Sequence, residues 1–124
     1  MIQIRETANY AGNLDDIETY WDDCDFPEDN EKLLDELAIT TLPNLQNHPR
    51  TGRNFLQRQP ASVRAKASIQ KLQTLLQTLN TDTETAEIRE YVMTDYLLLC
   101  ALMSDTIYLL AIKHHKQLAF DIHH

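Results

Sequence analysis

Three β-rich runs near the C-terminus place the strongest constraint on the fold. They read EIREYVM (87–93), YLLLCALM (96–103) and TIYLLAIK (106–113), and the pairs TD and SD separate them. Two-residue connections between such runs predict consecutive antiparallel strands, that is, a β-meander. The central run is apolar throughout, which indicates that both faces of the sheet are covered.

The N-terminal residues predict a short strand and a first helix. IQIRE (2–6) alternates apolar and polar residues, as a strand does. Asn13 is predicted to cap a helix whose apolar residues recur at helical spacing as far as Tyr20 and Trp21. We place these two aromatic residues in the core of a helical hairpin rather than in a binding patch.

The next residues predict the second helix of the hairpin. Pro27 suits its first turn, and Pro43 is expected to kink this helix or to end its first part. Gly52 then supplies a turn. A further helix is predicted at about 61–80, within an insertion that spans about 57–85.

These segments predict an α+β fold. An N-terminal strand and a helical hairpin pack on a small antiparallel β-meander sheet, with one inserted helix. The length of 124 residues suits a single domain, which we assign to residues 1–124.

Composition excludes several classes of protein. Cys24 and Cys100 are too few and too far apart for a disulfide framework or a CxxC metal site, so neither a metal nor another cofactor is predicted. No apolar run approaches the roughly 20 residues that a membrane helix needs. The N-terminus lacks the features of a secretory signal. We therefore expect a cytoplasmic protein with no membrane partner.

The net charge of −8 is distributed unevenly. Residues 1–47 hold twelve acids and two bases, a balance of −10, whereas residues 48–81 hold six bases and no acid. Residues 82–124 hold seven acids and three bases, a balance of −4. The middle segment is therefore the only one that would attract a polyanion, and the first third would repel it.

The segment IKHHKQLAF (112–120) brings Lys113, His114, His115 and Lys116 together at the end of the last run. Imidazoles transfer protons near neutral pH, and lysines hold phosphates. Adjacent residues of a strand point to opposite faces, so at most one of the two histidines serves a given site, and the pair alone forms no metal site. The alternative interpretation is a polar strand end that keeps the sheet soluble.

The order of these elements resembles the RelE/ParE superfamily, the toxins of bacterial type II toxin–antitoxin systems. LDDIETYW (14–21) is similar to the first helix of that family. LPNLQNHPRTGR (42–53) is similar to its most recognisable signature, a helix end followed by proline and then Gly-Arg. Residues 88–115 are similar to its last three strands, which end in a basic or histidine cluster.

The resemblance implies a ParE-like toxin, of the kind linked to plasmid stabilisation, that a cognate antitoxin neutralises by lying across the sheet and hairpin. Such a toxin poisons DNA gyrase and is not predicted to be an enzyme. We expect the isolated protein to self-associate as a homo-oligomer, because a partner groove exposes apolar surface. The residues expected to bind the target or the antitoxin are Arg53, Arg89, Lys113, His114, Lys116 and Phe120.

Two alternatives stand beside this interpretation. A RelE-like toxin would cut messenger RNA on the ribosome, with His114, His115 and Arg89 as catalytic candidates. A relic would keep the fold and antitoxin binding without toxicity. The chain departs from the family in being acidic, and YLLLC (96–100) lacks an arginine and a second aromatic hydroxyl that the corresponding strand often carries.

Overall fold

The fold is an α+β arrangement, as predicted. A computed structural model of the chain describes residues 2–54, 87–103 and 105–117, with the backbone alone at residues 53 and 54. One sheet has the strand order β1-β5-β4-β3-β2. Its strands are β1 (Gln3–Glu6), β2 (Arg53–Asn54), β3 (Glu87–Val92), β4 (Tyr96–Met103) and β5 (Thr106–His114).

Helices α1 (Ala8–Asp23), α2 (Pro27–Glu36) and α3 (Leu42–Asn47) follow β1 in the chain. A five-residue π-helical segment, Leu37–Thr41, connects α2 to α3. None of the helices in the described part of the chain is long and apolar enough to cross a membrane. The inserted helix predicted within about 57–85 lies outside the described residues.

Strands β3, β4 and β5 form the predicted antiparallel meander. The backbone N–H of Met93 donates to the carbonyl of Tyr96 over 2.9 Å, which closes the turn at Thr94 and Asp95 between β3 and β4. Strand β1 adds to the other edge of β5 in parallel, so the sheet is mixed. Glu36 at the end of α2 accepts hydrogen bonds from the backbone N–H and the hydroxyl of Thr94, which ties the hairpin to this connection.

Helix α1 begins five residues before the predicted cap. Thr7 is its N-cap, and the Thr7 hydroxyl accepts a hydrogen bond from the backbone N–H of Tyr10. Asn13 lies inside the helix, buried against β5, where its amide oxygen accepts from the backbone N–H of Ile112 over 3.1 Å. The prediction was wrong because the asparagine side chain can form a hydrogen bond to the backbone of a distant strand as well as to the N-terminus of its own helix.

Pro43 lies in the first turn of α3, and the helix continues past it. The helical turn before Pro43 widens into the π-helical segment, and the Leu42 N–H bonds to the Leu37 carbonyl five residues back. Proline lacks an N–H and crowds the preceding turn, and a π-turn relieves both effects locally. The helix therefore continues from α2 into α3, and its hydrogen-bond pattern shifts at the π-helical segment between them.

The hydrophobic core lies on both faces of the sheet. On one face, residues of the three helices pack against strand residues; the buried members include Tyr10, Leu33, Leu37, Leu45, Leu98, Cys100, Ile107 and Ile112. On the other face, the described members of the cluster are all strand residues: Ile88, Leu97, Leu99, Ala101, Leu110 and Ala111. The central strand is thus buried on both faces, as its sequence predicts, and burial raises the pKa of the Cys100 thiol to about 12.

Gly52 has a structural role, as its position in the predicted turn indicates. Its φ is +92°, in the left-handed region that favours glycine. A Cβ added there would lie 2.6 Å from the carbonyl oxygen of Glu90 in β3. The turn therefore needs glycine for its backbone conformation and for its close approach to the sheet.

The two glycines of the chain allow a matched test. Gly52→Ala is expected to lower the free energy of unfolding by about 2 kcal/mol or more, because it adds backbone strain and a clash. Gly12 lies at an exposed position inside helix α1, and no atom lies within 4 Å of the methyl group that Gly12→Ala would add. This substitution should raise the free energy of unfolding by about 0.5–1 kcal/mol. Urea unfolding followed by circular dichroism measures both. Equal effects of the two substitutions would contradict the assigned role of Gly52.

Candidate functional site

A groove of about 420 Å³ lies between helix α1 and the end of the meander. Its described lining comes from α1, from the start of β4, and from β5 with the turn that follows it. The lining residues are Asn13, Asp16, Ile17, Tyr20, Trp21, Tyr96, Ile112, His114, Lys116 and Gln117. A concave site with aromatic walls and a few polar groups is the usual form of a binding site.

Hydrogen bonds to the backbone of β5 from the N-cap of α1 and from a side chain within α1 determine where the groove lies. The Thr7 hydroxyl donates to the carbonyl of Leu109 over 2.8 Å, and the Asn9 amide donates to the carbonyl of Leu110 over 2.9 Å. A register shift between β4 and β5 leaves Leu110 without an opposite residue. Such a bulge redirects the local backbone, and here the carbonyl of Leu110 meets the helix.

The wall formed by α1 is one stripe along the helix. Asp16, Ile17, Tyr20 and Trp21 follow Asn13 at spacings of three, four, seven and eight residues, which places them on one side. The side chain of Tyr20 is 60% exposed, so the placement of Tyr20 in the hairpin core was wrong. The helical spacing of these residues correctly indicated that they share one side of α1. The same spacing is found in a groove wall and in a hydrophobic core, so it could not distinguish between the two.

Tyr96 connects the two walls of the groove. Its hydroxyl accepts a hydrogen bond of 2.9 Å from the indole N–H of Trp21. Its ring meets the His114 ring edge to face, with centroids 5.2 Å apart. Burial raises the pKa of Tyr96 above its ordinary value, so the hydroxyl stays protonated and its own hydrogen can be donated to a ligand.

His114 is held as a neutral imidazole. Its Nδ1 accepts a hydrogen bond from the backbone N–H of Lys116 over 3.1 Å, so the ring proton lies on Nε2. Burial lowers the pKa of His114, the charge of Lys116 acts in the same direction, and Asp95 opposes both. His114 therefore presents a hydrogen-bond donor to the groove rather than a free base.

Lys113 and His115 do not line the described groove. Lys113 lies on the opposite face of β5 from His114, is 7% exposed, and donates from Nζ to the carbonyl of Gln117 over 2.8 Å. His115 lies in the turn after β5, where its Nε2 is 3.2 Å from the carbonyl of Met93. Lys113, which is one of the predicted binding residues, is therefore buried and bonded within the protein.

Arg89 lies in a different part of the protein from His114. Its Nε donates to the carbonyl of Thr51 over 3.2 Å, and its Nη2 donates to the carbonyl of Gly52 over 2.8 Å. Its Nη1 is 3.5 Å from a carboxylate oxygen of Glu87. Arg89 thus holds the turn before β2 against β3.

Arg89 and His114, which are named together as catalytic candidates, lie apart for a topological reason. Strands β3 and β5 are both antiparallel to β4, so they run in the same direction and the start of one lies far from the end of the other. Arg89 pairs with Cys100, and His114 pairs with Tyr96. Four residues along a strand correspond to about 13 Å. Arg89, His114 and Lys116 therefore cannot hold one anion together.

The side chains of two expected binding residues, Arg53 and Phe120, lie outside the described part of the structure. The structure gives only the backbone of Arg53, in β2, and Phe120 falls beyond residue 117. Of the predicted binding residues, the groove brings together His114 and Lys116. Sequence reasoning missed the contributions of Asp16, Tyr20 and Tyr96, which come from elements far apart in the chain.

No protein-family model matches the chain, and no curated protein matches it significantly. The features that bear on function are the groove, the charges around it and the motifs of the sequence.

Tyr96→Phe tests the bond between the groove walls. Loss of the acceptor for the partly buried indole N–H of Trp21 should lower the free energy of unfolding by about 1 kcal/mol and shift the Trp21 emission. Tyr91→Phe is the matched control, because the Tyr91 hydroxyl accepts only an exposed hydrogen bond, from Asn44, and it should cost less than about 0.5 kcal/mol. Urea titration monitored by tryptophan fluorescence measures both. Identical losses in the two variants would contradict the assigned contact.

His114→Asn tests the neutral imidazole. The folded-state pKa of His114 lies below the ordinary value of 6.5, so below that pH the unfolded chain binds the proton more readily. Stability from this group is therefore present above pH 6.5 and is lost as the pH falls towards the folded-state pKa. Asparagine can accept the Lys116 N–H but does not titrate. The free energy of unfolding measured between about pH 7.5 and 5 should fall less in the variant than in the wild type. Parallel curves would show that His114 does not contribute.

Proposed function

We propose that this protein is the toxin component of a bacterial type II toxin–antitoxin system, ParE-like, and that a cognate antitoxin neutralises it in the cytoplasm. The groove between α1 and the end of the meander is the observation that carries the proposal. It is open, its walls are aromatic, and it lies between the two parts of the fold that the family resemblance assigns to antitoxin binding.

The contact between two of the family-like motifs supports the same proposal. The turn of LPNLQNHPRTGR contains Gly52, and IREY (88–91) contains Arg89, which holds that turn through two backbone carbonyls. The Gly52 turn also approaches the backbone of Glu90 too closely for any side chain. Two motifs that are separate in the sequence thus form one structural unit, which gives their joint occurrence a physical reason.

The geometry favours binding over RNA cleavage. A RelE-like ribonuclease would need a base, an acid and a cation around one ribose phosphate. The guanidinium of Arg89 is engaged by two carbonyls and by Glu87, far from His114. His114 accepts a backbone hydrogen bond at Nδ1, so its unprotonated nitrogen is already occupied.

Induced expression in a bacterial host tests the proposal. We expect growth arrest, and we expect co-expression of the cognate antitoxin to relieve it. The double substitution His114→Ala and Lys116→Ala should weaken this relief by the antitoxin without unfolding the protein, because both side chains line the groove, Lys116 is exposed and His114 lies at a strand end. Lys32→Ala is the control on the exposed face of α2 and should still be neutralised. Growth curves and circular dichroism provide the measurements.

The arrested cells distinguish the candidate activities. DNA breaks linked to gyrase support the ParE-like proposal, whereas cleaved messenger RNA on ribosomes supports the ribonuclease and contradicts it. An absence of arrest, with antitoxin binding retained, identifies a non-toxic relic. Arg89 and Lys113 are left unchanged in this test, because Arg89 holds the Gly52 turn and Lys113 is buried.

A further inference from the structure

The helical hairpin presents a strongly acidic surface beside the groove. Residues 8–36, which form α1, α2 and their connection, contain eleven acids and one base, Lys32. Nine of those acids are exposed, and Asp29, one of the other two, pairs with Lys32 over 3.7 Å. A phosphate backbone would be repelled by this surface, and a basic chain would be attracted to it.

The helix wall of the groove continues this acidic surface. Asp16 is exposed on that wall, next to the Tyr20 and Trp21 rings, which meet edge to face with centroids 5.0 Å apart. Aromatic rings attract cations through their electron-rich faces, and Asp16 adds a full negative charge at the same place. Lys116 stands on the other wall and is exposed, so its long side chain can extend into water.

We propose that the groove binds a basic amphipathic segment of a partner protein. Apolar side chains of that segment enter the groove over Ile17 and Tyr96, and its arginines or lysines lie against Asp16, Tyr20 and the acids of the hairpin. This inference deepens the proposed function, because it rests on the antitoxin being that partner and states the chemistry of its binding segment.

Charge and shape select this occupant together. A purely apolar segment would leave the acidic rim unpaired, and an acidic segment would be repelled by it. A nucleic acid would meet the same repulsion along the whole hairpin. A basic amphipathic segment complements both the aromatic groove and the acidic surface beside it. The electrostatic part of its binding should weaken as salt is added.

Trp21 gives a direct readout of the groove. It is the only tryptophan of the chain and lies in the groove wall. The probes are two synthetic amphipathic peptides with identical leucine and phenylalanine positions; one carries arginine at every polar position, and the other carries glutamate. A short single-stranded RNA serves as a third probe.

We expect the arginine peptide to change the Trp21 emission and to bind at least about tenfold more tightly than the glutamate peptide, with an affinity that falls as salt rises. Tyr20→Ala, which leaves the charge unchanged, should weaken binding roughly fivefold or more. Asp16→Lys should weaken it further. Asp105→Lys makes the same change of charge at an exposed position between β4 and β5, far from the groove, and should bind nearly as the wild type does.

Several outcomes would overturn the inference. The glutamate peptide could bind as tightly as the arginine peptide or more tightly, or neither peptide could bind. The RNA could bind at the groove. Finally, the arginine peptide could bind equally well to the Tyr20→Ala variant. The last result would indicate unspecific attraction to an acidic protein. The growth assay is independent: arrest relieved by the antitoxin without arginine-peptide binding rejects this inference alone, and peptide binding without arrest rejects toxicity alone.

Discussion

The hydrogen bonds between α1 side chains and the backbone of β5 are the contacts on which the rest of the structure depends. Strand β1 ends at Glu6, so from Leu110 onward the outer edge of β5 has no strand beside it among the described residues. Thr7, Asn9 and Asn13 take the place of that strand. A buried backbone group that loses its partner costs about 1–3 kcal/mol, so these bonds fix both the distance and the rotation of the helix.

This arrangement explains why the first helix was only partly predictable. Asn9 and Asn13 face the sheet and are buried, whereas Tyr20 is exposed at the groove. A prediction from the pattern of apolar residues places the asparagines at the surface and the tyrosine in the core. It fails here because the pattern carries no information about polar side chains that form hydrogen bonds to a distant strand. The meander and the Gly52 turn were predictable, since short connections and glycine conformation are local properties.

The candidate site was predictable where strand geometry decided the answer. Alternation places Lys113 and His114 on opposite faces, and it holds in the structure. The separation of Arg89 from His114 follows from the predicted meander, because two strands that are both antiparallel to a third run in the same direction, and the grouping of these residues overlooked that consequence. Tyr96 joins the groove through Trp21, 75 residues away in the chain, and no local pattern could link them.

The acids of the hairpin work against its own stability, and this conflict bears on function. Glu18 lies three residues after Asp15 and four before Asp22, so like charges are neighbours on the surface of α1. Asp22 and Asp23 stand at the negative end of the helix dipole, and no base occupies the last turn. A fold under selection for stability alone would not keep these acids beside an open aromatic groove. A basic partner would remove the repulsion and the dipole conflict together, so binding should stabilise the hairpin as well as fill the groove.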